Sequence, residues 1–164
     1  MFWQALLIIH FAATLFMVGL VAAVQVLHYP LLAEAHDIPA TCRRHVQRAG
    51  PLIAPPMLLE AVSGLLLLAS PFSSPLLIVS LLLLAAIWAS TFTIQVPLHK
   101  QLIAGRGDSR RLAARLVATN WLRTIAWFFR AACLAPLLIS AVGALHGEWL
   151  PKELQRDLKS SVKF

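Results

Sequence analysis

Apolar positions fall into four long runs, at residues 3–29, 52–70, 76–98 and 120–145, separated by short polar stretches. At 1.5 Å of rise per residue, runs of this length cross the roughly 30 Å hydrocarbon core of a bilayer as helices. Polar residues inside the runs keep helical rather than alternating spacing. In the first run His10, Thr14, Met17, Val21, Gln25 and His28 step by three or four residues and share one face. Thr91, Gln95 and His99 share a side of the third run, and Asn120, Arg123, Thr124 and Trp127 of the fourth, with Arg130 somewhat off that face. The second run contributes Glu60, with Ser63 and Gly64 one turn later. The pattern predicts an all-α integral membrane protein, a four-transmembrane-helix bundle over residues 1–150 with its polar stripes turned inward. The tail, residues 151–164, alternates charges with Leu154 and Leu158 and is expected to form a short surface helix or a solvated extension.

Composition strengthens this reading, since 59% apolar and 13% charged residues in 164 are too apolar for an ordinary soluble domain. The first run lacks a basic flank and exceeds a signal-peptide core, so it is expected to stay as a helix. Charge sets the expected orientation. Arg43, Arg44 and Arg48 follow the first run, and Lys100, Arg106, Arg110, Arg111 and Arg115 follow the third, whereas Ser70 to Pro75 carries no charge. The two basic loops are therefore expected in the cytoplasm, with both termini outside, although Lys152, Arg156, Lys159 and Lys163 of the tail pull the other way. Trp3 and Trp149 would mark one interface, Tyr29 and Trp121 the other. The net charge of +7 thus belongs to topology and lipid headgroups, with no nucleic-acid role. Cys42 and Cys133 show neither a disulfide framework nor ligand spacing. The ends of the first and third runs are alike, "VQVLHYPL" and "IQVPLHKQL", and an Arg-Arg pair follows each, which suggests two related hairpins.

Counted from the basic loops, His28, His99 and Asn120 lie near the interface, Gln25 and Arg123 about one turn deeper, Glu60 about 10 Å in, and Arg130 near the midplane. A charged side chain there requires a partner or a wet cavity, and Glu60 with Arg123 or Arg130 is the expected pair. Pro97 removes a backbone donor and is expected to turn His99 inward. His28, His45, Glu60 and His99 form a set that could ligate a transition metal, and His28 with His99 could ligate a haem, but neither HExxH nor ExxH spacing is present. The opposing reading takes the same groups as helix-packing hydrogen bonds, and for His10, His36 and His146 that reading is preferred. No G-x-S-x-G, P-loop or G-x-G-x-x-G occurs, and "AGRGDS" from Ala104 reads as a glycine turn.

"QVPLHKQL" from Gln95, a basic loop, "NWLRTIAW" from Asn120, and a first run ending "HYPLL" together resemble bacterial membrane proteins of the anthrone-oxygenase-like group. The departure is at Gln95 and His99, where the group more often has asparagines. The resemblance implies a bacterial inner-membrane protein that oxygenates a flat, hydrophobic aromatic molecule entering from the bilayer. In that scheme a histidine or Glu60 removes a proton, and Arg123 with Asn120 stabilises the anion. His28, Glu60, His99, Asn120 and Arg123 are then the candidate catalytic residues, and Gln25, Gln95, Trp127 and Arg130 the candidate substrate contacts. The cofactor stays open among a transition metal, haem and none. A metal- or haem-bearing redox protein, and a non-catalytic carrier or accessory subunit of a membrane complex, remain the alternatives. Expected partners are the bilayer, a hydrophobic small molecule, and a second copy or another subunit.

Overall fold

A computed structural model describes residues 1–149 of the chain, with side chains described as far as residue 143. Trp149, His146 and the charged tail therefore lie outside the described side chains. Four long helices run through it: Phe2–Glu34, Ile38–Leu67 and Pro75–Ile103, and Ser109–Trp149. All four are long and apolar enough to cross a membrane, and the protein is a multi-pass four-helix bundle.

The helices begin where short polar side chains can cap them. Asp37 accepts from the Ala40 N–H at 3.0 Å and Ser74 from that of Leu77 at 3.3 Å. Asp108 accepts from Arg110 and Arg111 N–H groups at 3.0 and 3.2 Å. These caps correct the expected boundaries, because the second and fourth helices start well before their apolar runs. Arg43, Arg44, His45, Arg48, Arg110, Arg111 and Arg115 are thus helical, not loop residues. Hydropathy marks the part of a helix that suits lipid, whereas capping marks where hydrogen bonding begins. Between the third and fourth helices the turn needs Gly105 at φ 61° and Gly107 at φ 78°, the left-handed region that glycine enters without strain.

Two wide turns interrupt the first and third helices, at Val24–His28 and Thr91–Gln95, where the N–H groups of Tyr29 and Val96 reach back five residues to Val24 and Thr91. Each ends two residues before a proline, Pro30 or Pro97. Proline cannot donate to the preceding turn, and a π turn absorbs the mismatch while rotating the residues beyond it.

Along the bundle axis the interior alternates in character. At the Met1 end, Leu7, Leu67, Leu77, Leu134 and Ala141 pack together. A polar layer of His10, Thr14, Glu60, Ser63, Ser80 and Arg130 follows, then an apolar plug of Met17, Val21, Met57, Leu84, Ile87 and Trp127. A second polar layer precedes the apolar cluster that closes the basic end, which includes Tyr29, Leu32, Cys42, Leu98 and Leu116. Tyr29, expected in an interfacial belt, is instead buried, because the wide turn swings it into the bundle.

Buried positions recur at a spacing of 70 residues: Leu7 with Leu77, His10 with Ser80, Met17 with Ile87, Gln25 with Gln95, Met57 with Trp127, and Glu60 with Arg130. The hairpin resemblance therefore extends to the burial pattern, with one revision. In this register His99 matches Tyr29 rather than His28.

Candidate ligand-binding site

Fourth-helix side chains build the wall of the second polar layer. Gln25 donates through Nε2 to the Val117 carbonyl at 3.2 Å, and its Oε1 accepts from Asn120 Nδ2 at 2.7 Å. Asn120 Oδ1 in turn accepts from Arg123 Nη1 at 2.9 Å. This relay holds a buried guanidinium without neutralising it. Among the described residues the ion pair present is Arg130 with Glu60, and no carboxylate reaches Arg123.

Arg123 lines a cavity of about 450 Å³ between the second and third helices. Small residues on the second helix, Ala49, Gly50 and Ala54, leave that seam unfilled, while Trp88 and Phe92 form the opposite side. Tyr29, His45, Gln95 and His99 complete the polar end. Gln95 donates to Thr119 Oγ1 at 3.1 Å, leaving its Oε1 without a partner. His99 Nδ1 lies 2.7 Å from the Gln95 carbonyl. Since a carbonyl only accepts, Nδ1 carries the proton and Nε2 of the neutral ring presents a lone pair. That Nε2 is buried and unpartnered, as are Arg123 Nε and Trp88 Nε1. Four of the nine buried side-chain polar atoms without partners among the described residues thus belong to residues lining this largely apolar cavity; Glu60 Oε2 and Ser80 Oγ of the other polar layer are also among the nine.

His45 stacks between the other two histidines, 4.2 Å from His28 with ring planes at 24°, and 5.7 Å from His99 at 17°. This arrangement bears on the metal and haem readings. Rings stacked face to face do not point their nitrogens at one centre, and His45 occupies the space a porphyrin would need between His28 and His99. Among the described residues no group of three or more His, Cys, Asp or Glu is arranged to hold a metal. Glu60, the fourth member of that set, is fifteen residues from His45 on the same helix, about 22 Å away.

Glu60 belongs to the other polar layer. Its Oε1 accepts from Arg130 Nη1 at 2.7 Å and from the Thr14 hydroxyl. Arg130 also donates through Nε to the Ser80 carbonyl at 3.1 Å, and its guanidinium carbon lies 4.8 Å from the Trp127 ring centroid. Ser63 Oγ is 2.6 Å from the Leu59 carbonyl and accepts from His10 Nδ1 at 2.7 Å. His10 Nε2, the remaining lone pair, faces Arg130 Nη2 at 3.5 Å. Gly64 makes room here, for a Cβ would come within 2.5 Å of Leu81 Cδ2 and 3.2 Å of His10 Cε1.

The structure therefore sorts the sequence-derived candidates into three groups. His99, Gln95, Arg123 and His45 line the cavity, and Asn120 and Gln25 stand behind Arg123. Glu60, Arg130 and Trp127 lie beyond the apolar plug or within it and do not touch the cavity. His28 lines a separate groove on the far side of His45. Sequence reasoning missed Tyr29, Trp88 and Phe92 as lining residues; the aromatic spacing of Trp88 and Phe92, one turn apart, was the available signal. It also set aside His10, which is fully buried beside the ion pair. Comparison with family models, with curated proteins and with solved structures returns no match for this chain.

Proposed function

We propose that the cavity binds a flat, hydrophobic molecule bearing an ionisable oxygen, drawn laterally from the bilayer, and that the protein acts on it as an oxygenase-like enzyme. The observation that carries this reading is the uncompensated Arg123 guanidinium beside His99 Nε2 in an otherwise apolar cavity. A buried cation without a protein counter-ion favours a ligand that supplies the negative charge. An imidazole lone pair near it supplies the base that would create that charge.

For a substrate with an acidic methylene between aromatic rings, His99 Nε2 would accept the proton, and Arg123 with Trp88 Nε1 would hold the enolate oxygen. Dioxygen, the co-reactant, would then add at the carbanion carbon to form a hydroperoxide. Loss of water from the hydroperoxide would leave a ketone, so one dioxygen is consumed for each methylene oxidised and one water is released. The residues themselves would bind, orient and move the proton. Location in the bacterial cytoplasmic membrane, with the basic ends of the helices inward, belongs to the same proposal and rests on the arginine distribution.

Anthrone titrated into detergent-solubilised protein tests this directly. Binding with the red-shifted absorption of the enolate, and dioxygen uptake matched by quinone formation, is the expected result. Binding without uptake would favour a carrier, and no binding would remove the reading. In Arg123→Gln the enolate band should vanish while weak binding persists.

A further inference from the structure

A second groove, of about 560 Å³, lies on the opposite side of His45, between the first and second helices. We infer that this groove is a binding site for the phosphate headgroup and upper acyl chain of an anionic phospholipid.

Its lining is graded along the bundle axis. Thr41, Arg44, Arg48 and Leu52 recur at steps of three and four and so share one face of the second helix. Arg44 Nη2 donates to Thr41 Oγ1 at 3.2 Å, which draws the guanidinium toward the helix start. Facing them on the first helix are Leu20, Ala23, Val24 and Leu27, with His28 toward the basic end. Because the two helices run antiparallel, Thr41, Arg44 and His28 come together at the end of the bundle, whereas Leu20 and Leu52 meet deeper in the apolar span. The polar end offers two cationic side chains and a hydroxyl, with the His28 ring beside them. No carboxylate is among the lining residues. A groove cationic at the membrane surface and apolar below it has the charge profile of a phosphodiester attached to hydrocarbon.

Free phosphate shares the headgroup chemistry but makes no use of the apolar half, and on that ground the lipid is the assigned occupant. The site is separate from the cavity between the second and third helices, and its test reads lipid rather than turnover.

The protein reconstituted in mixed phosphatidylcholine and phosphatidylglycerol, re-extracted in mild detergent and weighed by native mass spectrometry, should retain phosphatidylglycerol about tenfold over its share in the bilayer. Arg44→Gln with Arg48→Gln should abolish the enrichment; both residues are exposed, and an unchanged melting curve would show that the bundle is intact. Ala23→Trp, which fills the groove and keeps both arginines, should abolish it too. No enrichment in the wild type, or enrichment that survives the double substitution, would overturn the assignment. Enrichment that survives Ala23→Trp would reduce it to surface charge attraction and equally overturn the groove. Displacement of the retained lipid by millimolar inorganic phosphate would overturn the lipid as occupant in favour of the free anion.

Discussion

Two buried polar layers sit in the same bundle, separated by the Met17, Met57 and Trp127 plug, and each contains an arginine from the fourth helix. Arg130 is fully engaged: a carboxylate, a backbone carbonyl, an indole face and an imidazole surround it. Arg123, seven residues earlier, is oriented by an asparagine and faces a cavity. Helix phase puts both inside; what distinguishes them is the opposite seam. Gly64 leaves just enough room for Leu81 and His10 beside Arg130, whereas the small side chains of Ala49, Gly50 and Ala54 leave the space beside Arg123 unfilled. One polar layer closes on itself, and the other opens on a cavity.

The sharpest way to break this contrast is to remove the carboxylate of the closed layer. Glu60→Ala strands Arg130 and should cost about 3–5 kcal/mol of stability, read as a large drop in detergent melting temperature. Replacing both partners, Glu60→Met with Arg130→Met, should recover most of that loss. An unaltered melt for the single variant would mean that the pair is not structural. In the open layer the signature should be inverted: His99→Ala is expected to lower any anthrone turnover by about 10²–10⁴-fold with little change in melting. A stability loss like that of Glu60→Ala would place His99 among the packing residues instead.

Smaller changes refine the comparison. Gly64→Ala should destabilise by about 1–2 kcal/mol, since its methyl must push aside the flexible end of Leu81, and anthrone affinity should hold. Gly50→Leu should do the reverse, weakening anthrone binding several-fold by filling the cavity mouth without altering the melt; a Cβ at Gly50 meets nothing within 4 Å. His36→Ala, on an exposed residue outside both layers, should shift stability by no more than about 0.5 kcal/mol and binding not at all.

Much of the closed layer was legible beforehand. Glu60 stands alone in its apolar run, Arg123 and Arg130 share theirs, and the cost of an unpaired charge in lipid makes the carboxylate seek one of the two. The inward stripe of the first helix, from His10 through Gln25, follows from helical period alone and is buried as expected at every step to Gln25. The stripe fails just after Gln25. There a wide turn adds a residue, so Tyr29 rotates into the core and His28 moves to the groove, and no count at 3.6 residues per turn anticipates that slip. His45 was misjudged for a different reason: its charged surroundings read as a loop, but the Asp37 cap carries the second helix straight through them.

From the sequence alone came the class, the four crossings, the inward faces and the need for Glu60 to find an arginine, because hydropathy, period and charge burial are properties of local chain and solvent. Only the tertiary structure decided which arginine Glu60 took, that three imidazoles stack rather than converge, and which seam stays open. Those outcomes depend on helix rotation after the π turns and on how closely neighbouring backbones approach, and both are set by contacts between segments far apart in the chain.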